Sequence, residues 1–425
     1  MRCIIKPSSI SGDIFIPPSK SETLRAIVFA SMAYGESTIT NILLSPDTFA
    51  MIEGIKQFGA KVEREGTTLK IVGVGRKLQA PQKVIDVGNS GLALRFFIGL
   101  SALVGEEVLI TGDDSIKKNR PVKPLLDLYR KQGIEVSSFE ERSDGILSIK
   151  GKLQPGSMVI DGKDSQPVSA LLFVASFLQG PSEIFVLHPG EKPWVDLTMH
   201  WLSFVGAVVF NEGYRFYEVE GNSSYKGFNI SIGGDYSTAM FPVAAALLSK
   251  KEVRIHGLDP KSMQGDKMTL DIFKKMGAHI YFRGEILFVT ANEDLKGVEV
   301  DINDCIDSLP ILSVVAAFAK TKTRITGATI ARSKECDRIA VMSERLIQMG
   351  AHVEVHLDGM TIYPSTIKGA KFNGANDHRV VLSLMVAAAF ANSASEIDGV
   401  EVCAKTFPTA IYEFCSSGLD LTLDL

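Results

Sequence analysis

Apolar and polar positions along this chain repeat on a long period. The stretch Met51-Ile-Glu-Gly-Ile-Lys-Gln-Phe-Gly-Ala-Lys-Val-Glu is an amphipathic run that ends at Gly59 and gives way to a β-like segment. The same ending returns at Gly133, Gly206, Gly277, Gly350 and Gly418, at spacings of 74, 73, 71, 73 and 68 residues. A sixth of the 425 residues is about 71, so six copies of one unit fill the chain. Glycine suits each position because a helix commonly ends in a left-handed residue, where a side chain costs energy.

A second series runs in phase with the first. Stretches rich in Ala, Leu, Val and Phe surround Ala30, Ala102, Ala175, Ala245, Ala317 and Ala388. Each leads into a β-like segment, beginning at Ser37, Val108, Glu183, Val253, Thr323 and Ser395. These helices are apolar nearly all round and are expected to be buried, whereas the glycine-ended helices carry charge on one face and should meet solvent. Each unit therefore holds one buried helix, one surface helix and several strands. A doubly wound parallel sheet would predict neither the sixfold period nor fully apolar helices in phase.

Residues capable of chemistry gather where the buried helices begin. In chain order these starts are Pro18-Ser-Lys20-Ser21-Glu-Thr-Leu-Arg25, Gly88-Asn89-Ser-Gly91-Leu-Ala-Leu-Arg95, Asp164-Ser165-Gln166, Asp235-Tyr-Ser237-Thr, Asp307-Ser-Leu-Pro310 and Asn376-Asp377-His378-Arg379. Ser, Thr, Asp and Asn are good N-caps, and for Asp235 and Ser237 capping and ligand contact stand as equal alternatives. Capping does not explain Lys20, Arg25, Arg95 or Arg379, because a cation at the positive end of a helix is unfavourable unless an anion joins it. Helix N-termini combined with arginines read as an anion-binding site. Arg120 sits in Lys-Lys-Asn-Arg-Pro, and Lys405 in Ala-Lys-Thr-Phe-Pro, where a surface lysine is the plainer reading. The run Arg332-Ser-Lys334-Glu335-Cys-Asp337-Arg338, standing alone, reads as a solvated helix start laced with ion pairs.

Composition narrows the function further. With 45 Lys+Arg against 49 Asp+Glu the formal charge is −4, which disfavours a nucleic-acid binder because phosphate contacts need a basic surface. A hydrophobic content of 45% and a length of 425 residues predict two or three folded domains rather than disorder. The longest apolar run, Val380 to Ala391, is too short to cross a bilayer, which needs about 20 residues, and the N-terminus shows no signal peptide. Five cysteines without CxxC spacing fit reduced thiols in a cytoplasm and no metal cluster.

The segments Pro-Ser-Lys-Ser-Glu-Thr-Leu-Arg-Ala, Gly-Asn-Ser-Gly-Leu-Ala-Leu-Arg, Asn-Arg-Pro-Val-Lys-Pro-Leu-Leu-Asp, Ser-Met-Gln-Gly-Asp, Arg-Ser-Lys-Glu-Cys-Asp-Arg, Asn-Asp-His-Arg and Ala-Lys-Thr-Phe-Pro stand in the order found in 5-enolpyruvylshikimate-3-phosphate synthases. The chain resembles that family over essentially its whole length. The resemblance implies an α/β fold: a two-domain inside-out α/β barrel of six βαβαββ repeats, three per domain. It places residues 1–15 with 235–425 in one domain and residues 16–234 in the other, with the active site in the interdomain cleft.

The implied reaction moves the enolpyruvyl group of phosphoenolpyruvate to the 5-hydroxyl of shikimate 3-phosphate and releases phosphate, without metal or organic cofactor. The implied catalytic residues are Lys20, Asp307 as general base, and Glu335 for proton transfer at C3. Shikimate 3-phosphate should be held by Lys20, Ser21, Arg25, Ser165, Gln166, Asp307 and Lys334. Phosphoenolpyruvate should be held by Lys20, Gly91, Arg120, Gln166, Arg338, Arg379 and Lys405. Asn89 and Arg95 are expected to brace the second buried helix, and Asp377 and His378 to orient Arg379. These two small anions are the expected partners, with no nucleic acid or membrane, for a cytoplasmic monomer.

Several positions depart from the family pattern. Pro18, Leu92 and Phe96 replace commoner residues, and the last two are expected near the phosphoenolpyruvate pocket, where they could alter the response to glyphosate. Asp164 and Glu191 fall where many relatives place serines for the acceptor phosphate, Ile330 where asparagine is common, and Trp194 where tyrosine is common. An acid facing a phosphate is repulsive unless neutralised, for which Lys163, Lys192 and Lys334 are candidates. Two rival readings follow: a catalytically silent relative that captures phosphorylated metabolites, and a UDP-N-acetylglucosamine enolpyruvyl transferase. The second needs a loop cysteine in the N-terminal half, where only Cys3 is present.

Overall fold

The computed structural model describes residues 1–424 and divides into two compact units. One joins Met1–Pro18 to the chain from Gly233 onward; the other is Ser19–Ile232. Each has its own hydrophobic core, and three helices run through each. In the Ser19–Ile232 unit these are Lys20–Ser31, Gly91–Val104 and Ser165–Ala175. In the other they are Tyr236–Ser249, Leu309–Phe318 and His378–Phe390. All six are buried along nearly their whole length, as their apolar circumference demands.

Close approach between the buried helices depends on small residues. A Cβ added at Gly99 would lie 2.6 Å from Val174 Cγ2, so glycine sets how near the second and third helices come. Phe96 is fully buried and meets Phe173 edge-on at 5.4 Å. Burying such a ring contributes about 1.5–3 kcal/mol. Phe96, expected near the phosphoenolpyruvate pocket, turns its ring to helix Ser165–Ala175 within the core.

Among the described residues there are six four-stranded sheets, and all share one order. In the first, Asn229–Ser231 runs parallel to Tyr34–Thr40, which pairs antiparallel with Thr68–Val74, itself antiparallel to Lys61–Glu65. None of these sheets closes on itself. The N-terminal strands join sheets built from late sequence. Gly12–Phe15 pairs parallel with Val253–His256, and Arg2–Ile5 lies between Ser395–Asp398 and Leu421–Asp424. The six β-like segments expected after the buried helices are all strands. The glycines that end the amphipathic helices all have positive φ, from 76° at Gly133 to 116° at Gly418.

Candidate active site

Side-chain capping starts five of the six buried helices. Ser19, Ser90, Asp164, Asp235 and Asp377 each accept from a backbone N–H in the first turn. The sixth, Leu309–Phe318, is entered through a 3-10 turn, Asn303–Ser308, and has no side-chain cap. Asp307 is therefore free of capping duty and turns its carboxylate to cations instead. Asp235 caps its helix, while Ser237 donates to Asp266.

In the Ser19–Ile232 unit, Lys20 Nζ lies 3.6 Å from Asp47 Oδ2, a partner on the neighbouring helix Pro46–Gln57. Arg25 is buried and donates to Thr198 Oγ1, Ser21 O and Trp194 O at 3.0–3.2 Å. Burial lowers its pKa to about 10. At the second helix, a Cβ on Gly91 would stand 3.1 Å from Arg95 Nη1, 3.3 Å from Gln166 Oε1 and 3.4 Å from Arg120 Cζ. Three side chains from separate segments thus converge on bare backbone. Gln166 Oε1 is buried without a hydrogen-bond partner among the described residues, an orphan acceptor that a ligand hydroxyl would satisfy.

The two acids that break the family pattern are both accommodated. Asp164 Oδ2 accepts from Arg95 Nη2 at 3.2 Å, and Arg95 also braces Gly91 O and Pro121 O. The neutralising cation is therefore Arg95, a residue of the second helix. Glu191, buried and left-handed at φ 46°, accepts through Oε2 from the Ser165 N–H and Oγ at 2.9 and 3.1 Å. A carboxylate of the chain thus occupies the first turn of the helix where an external anion would otherwise bind. Asn89 braces the turn by donating to Asp113 and Ser115, both at 2.6 Å.

In the other unit, acids and cations interlock. Arg338 is 1% exposed and meets three carboxylates, Asp307 Oδ1, Glu335 Oε2 and Asp377 Oδ2, each at 2.7 Å. Burial alone would lower its pKa; Asp377, Glu335 and Asp307 override that and hold it well above the usual value. Arg379 Nη2 lies 2.9 Å from Asp307 Oδ2, while its Nη1 is buried without a hydrogen-bond partner among the described residues. Lys405 Nζ donates to Glu335 Oε1 at 2.9 Å. Burial works to raise the Asp307 pKa, but Arg379, Arg338 and Lys334 hold it well below the usual carboxylate range. Burial, reinforced by Asp307, pushes Asp266 up to about 7.

Across residues 4–413 the chain matches the family of EPSP synthase (3-phosphoshikimate 1-carboxyvinyltransferase). It belongs to the EPSP synthase family. The 3-phosphoshikimate 1-carboxyvinyltransferase of Chlamydia caviae is 38% identical over 410 residues, spanning 96% of this chain and 91% of that one. That of Acetivibrio thermocellus is 37% identical over 418 residues and 98% of each chain. The EPSP synthase from Acinetobacter baumannii has the same mixed α/β fold, with a TM-score of 0.81 at 25% identity over 100% of both chains.

The candidate residues of this EPSP synthase family member fall into two groups. Gly91, Arg120 and Gln166 come together in one unit; Asp307, Glu335, Arg338, Arg379 and Lys405 come together in the other. Lys334 is buried and contributes its charge at Asp307. The solvated-helix reading of Arg332 to Arg338 holds only for Arg332 and Asp337, paired at 2.7 Å; Lys334, Glu335 and Arg338 are buried. Asp377 holds Arg379 by its backbone N–H and holds Arg338 by its guanidinium. Sequence reasoning missed Asp47, Thr198 and Asp266. Only Asp266 carried a signal, as the acid of the Ser-Met-Gln-Gly-Asp segment.

Proposed function

We infer that the chain is a 3-phosphoshikimate 1-carboxyvinyltransferase of the shikimate pathway. It transfers the enolpyruvyl group of phosphoenolpyruvate to the 5-hydroxyl of shikimate 3-phosphate and releases phosphate. The observation that carries the chemistry is the buried set of Arg338, Arg379 and Lys405 interlocked with Asp307 and Glu335. Cations confined with acids in this way suit a polyanionic donor whose reaction also needs proton transfer.

In the reaction, the 5-hydroxyl oxygen attacks C2 of the donor while C3 gains a proton, forming a tetrahedral intermediate. Loss of a C3 proton and of phosphate then restores the double bond. Asp307 takes the hydroxyl proton, Glu335 handles the C3 proton, and Lys20 assists proton movement. Arg120, Arg338, Arg379 and Lys405 hold the donor's phosphate and carboxylate, where the planar fork of arginine is well suited. Gly91 and Gln166 complete the donor contacts. Ser21, Arg25, Ser165, Gln166 and Lys334 hold the acceptor. The six sheets of common order support six βαβαββ units, three in each compact unit, and the reaction is assigned to the cytoplasm.

The test is incubation of purified protein with both substrates, following the enolpyruvyl product by mass together with phosphate. Stoichiometric product that is lost on Lys20→Ala supports this reading. Binding of donor without turnover would point to a silent relative. The UDP-N-acetylglucosamine enolpyruvyl transferase reading is disfavoured by Cys3: it is wholly buried in strand Arg2–Ile5, and burial pushes its thiol up to about 12, so it offers no thiolate.

Glu191 gives a prediction specific to this chain. Its carboxylate competes with the acceptor phosphate for the donors of Ser165. Glu191→Gln keeps the shape and an accepting oxygen but removes the charge. The KM for shikimate 3-phosphate is expected to fall several-fold, about 1 kcal/mol, with kcat little changed. An unchanged or higher KM in steady-state assays would show that the charge does not oppose the acceptor.

A further inference from the structure

Asp266 is a buried acid that the mechanism above does not use. It is 0% exposed on the single 3-10 turn Gly265–Met268. Ser237 Oγ donates to its Oδ2, and its Oδ1 is buried without a hydrogen-bond partner among the described residues. The turn is firmly fixed. Gln264 accepts from the Tyr236 N–H and donates to Gly234 O, both at 2.9 Å. Thr269 Oγ1 and Ser308 Oγ share a hydrogen bond that fastens this segment to the turn carrying Asp307.

The groups acting on Asp266 are known from each neighbouring element. Asp307 acts from the Asn303–Ser308 turn, Arg379 from helix His378–Phe390, and Asp235 with Ser237 from the start of helix Tyr236–Ser249. Cys305, pushed up to about 12 by burial, stays a neutral thiol. Lys267, on the same turn, is bonded to the carbonyls of Pro260 and Ser262. Arg379 is thus the one cation acting on Asp266 in this set, and its Nη2 is already paired with Asp307. An ionised Asp266 would bury a negative charge beside two acids with one of its oxygens unpaired, and protonation removes that charge. Asp307 is held ionised by Arg338 and Lys334 as well as by Arg379, so of the two interacting carboxyls Asp266 is the one that retains its proton.

We propose that Asp266 is a positioning residue of the donor site: while protonated it leaves the charge of Arg379 to Asp307 and the incoming donor, and when ionised it cancels part of that charge and weakens donor binding. This rests on the assignment of Arg379 to the donor site and of Asp307 as the general base.

The test follows kcat and KM for phosphoenolpyruvate from pH 6 to 8.5 in the full chain, Asp266→Asn and Ser237→Ala, with donor expressed as its fully ionised form. The wild-type KM is expected to rise roughly tenfold across this range, with a smaller change in kcat. Asp266→Asn should show a KM independent of pH. Ser237→Ala should displace the rise to higher pH, because the Ser237 hydrogen bond favours the ionised form. Stability gives a second readout. A carboxyl whose folded pKa is raised loses stability as pH climbs from the ordinary range to the folded value, so Asp266→Asn should gain over wild type between about pH 4 and 7 and then level off. A flat wild-type KM, or the same rise in Asp266→Asn, overturns the proposal. If that variant does not fold, an undisplaced rise in Ser237→Ala overturns it instead. Arg379→Lys separates the two failures: an unchanged donor KM there would sink the donor-site assignment itself.

Discussion

Arg338→Ala is expected to cost about 3–5 kcal/mol of stability and to abolish turnover. The guanidinium is 1% exposed and satisfies Asp307, Glu335 and Asp377 at once, each at 2.7 Å. Removing it leaves three carboxylates, two of them buried, facing one another, with Arg379 and Lys405 among the remaining ion-pair partners. Arg338→Lys keeps the charge but cannot reach three acids from a planar fork, so an intermediate loss is expected. Urea unfolding monitored by circular dichroism measures the stability. Its pH dependence adds a sign test. Asp307 has a folded pKa below its usual value, so its pairing stabilises above the ordinary carboxylate range and is lost as pH falls through the folded value. The deficit of Arg338→Ala should therefore be largest near neutrality and shrink on acidification. A wild-type unfolding midpoint in the variant at pH 7 would mean that the three acids do not depend on Arg338.

The sequence was most legible where one physical rule acts alone. Helix ends were readable at Gly59 through Gly418 because a positive φ excludes most other residues. The buried helices were readable because their apolar residues cover the whole circumference. Candidate site residues stand in segments that resemble a family, but their pairings are not legible there. Nothing in Pro46-Asp47-Thr48 marks Asp47 as the partner of Lys20, since that contact is made between two helices. Phe96 showed the limit from the other side. The family pattern puts it near the phosphoenolpyruvate pocket, and helix geometry turns its ring onto Phe173 in the core. Asp164 needs a cation, and Lys163, Lys192 and Lys334 are the candidates the sequence offers. The cation is Arg95, separated from it by 69 residues. Electrostatic compensation is settled by tertiary contact, which a linear reading does not contain.

Asp307→Asn and Glu335→Gln are each expected to lower kcat by about 10²- to 10⁴-fold with the fold retained. Both substitutions leave amide oxygens able to accept from Arg338, so circular dichroism should be unaltered. The two variants should differ in isotope behaviour. In heavy water, the assigned route adds a deuteron at C3 before elimination, and product mass reports it. On the proposed assignment of C3 proton transfer to Glu335, Glu335→Gln should slow deuterium entry and product formation together. Asp307→Asn should impair attack by the acceptor hydroxyl. The geometry also predicts an order of events. In the ligand-free protein Asp307 is a poor base, because Arg379 and Arg338 hold it ionised with little affinity for a proton. Donor anions that engage those guanidiniums relieve part of this field and restore proton affinity at the moment the acceptor must be deprotonated. On the roles proposed for Asp307 and these arginines, donor binding prepares the base. Unimpaired kcat in Asp307→Asn would remove it from that role and shift the search for a base to Lys20.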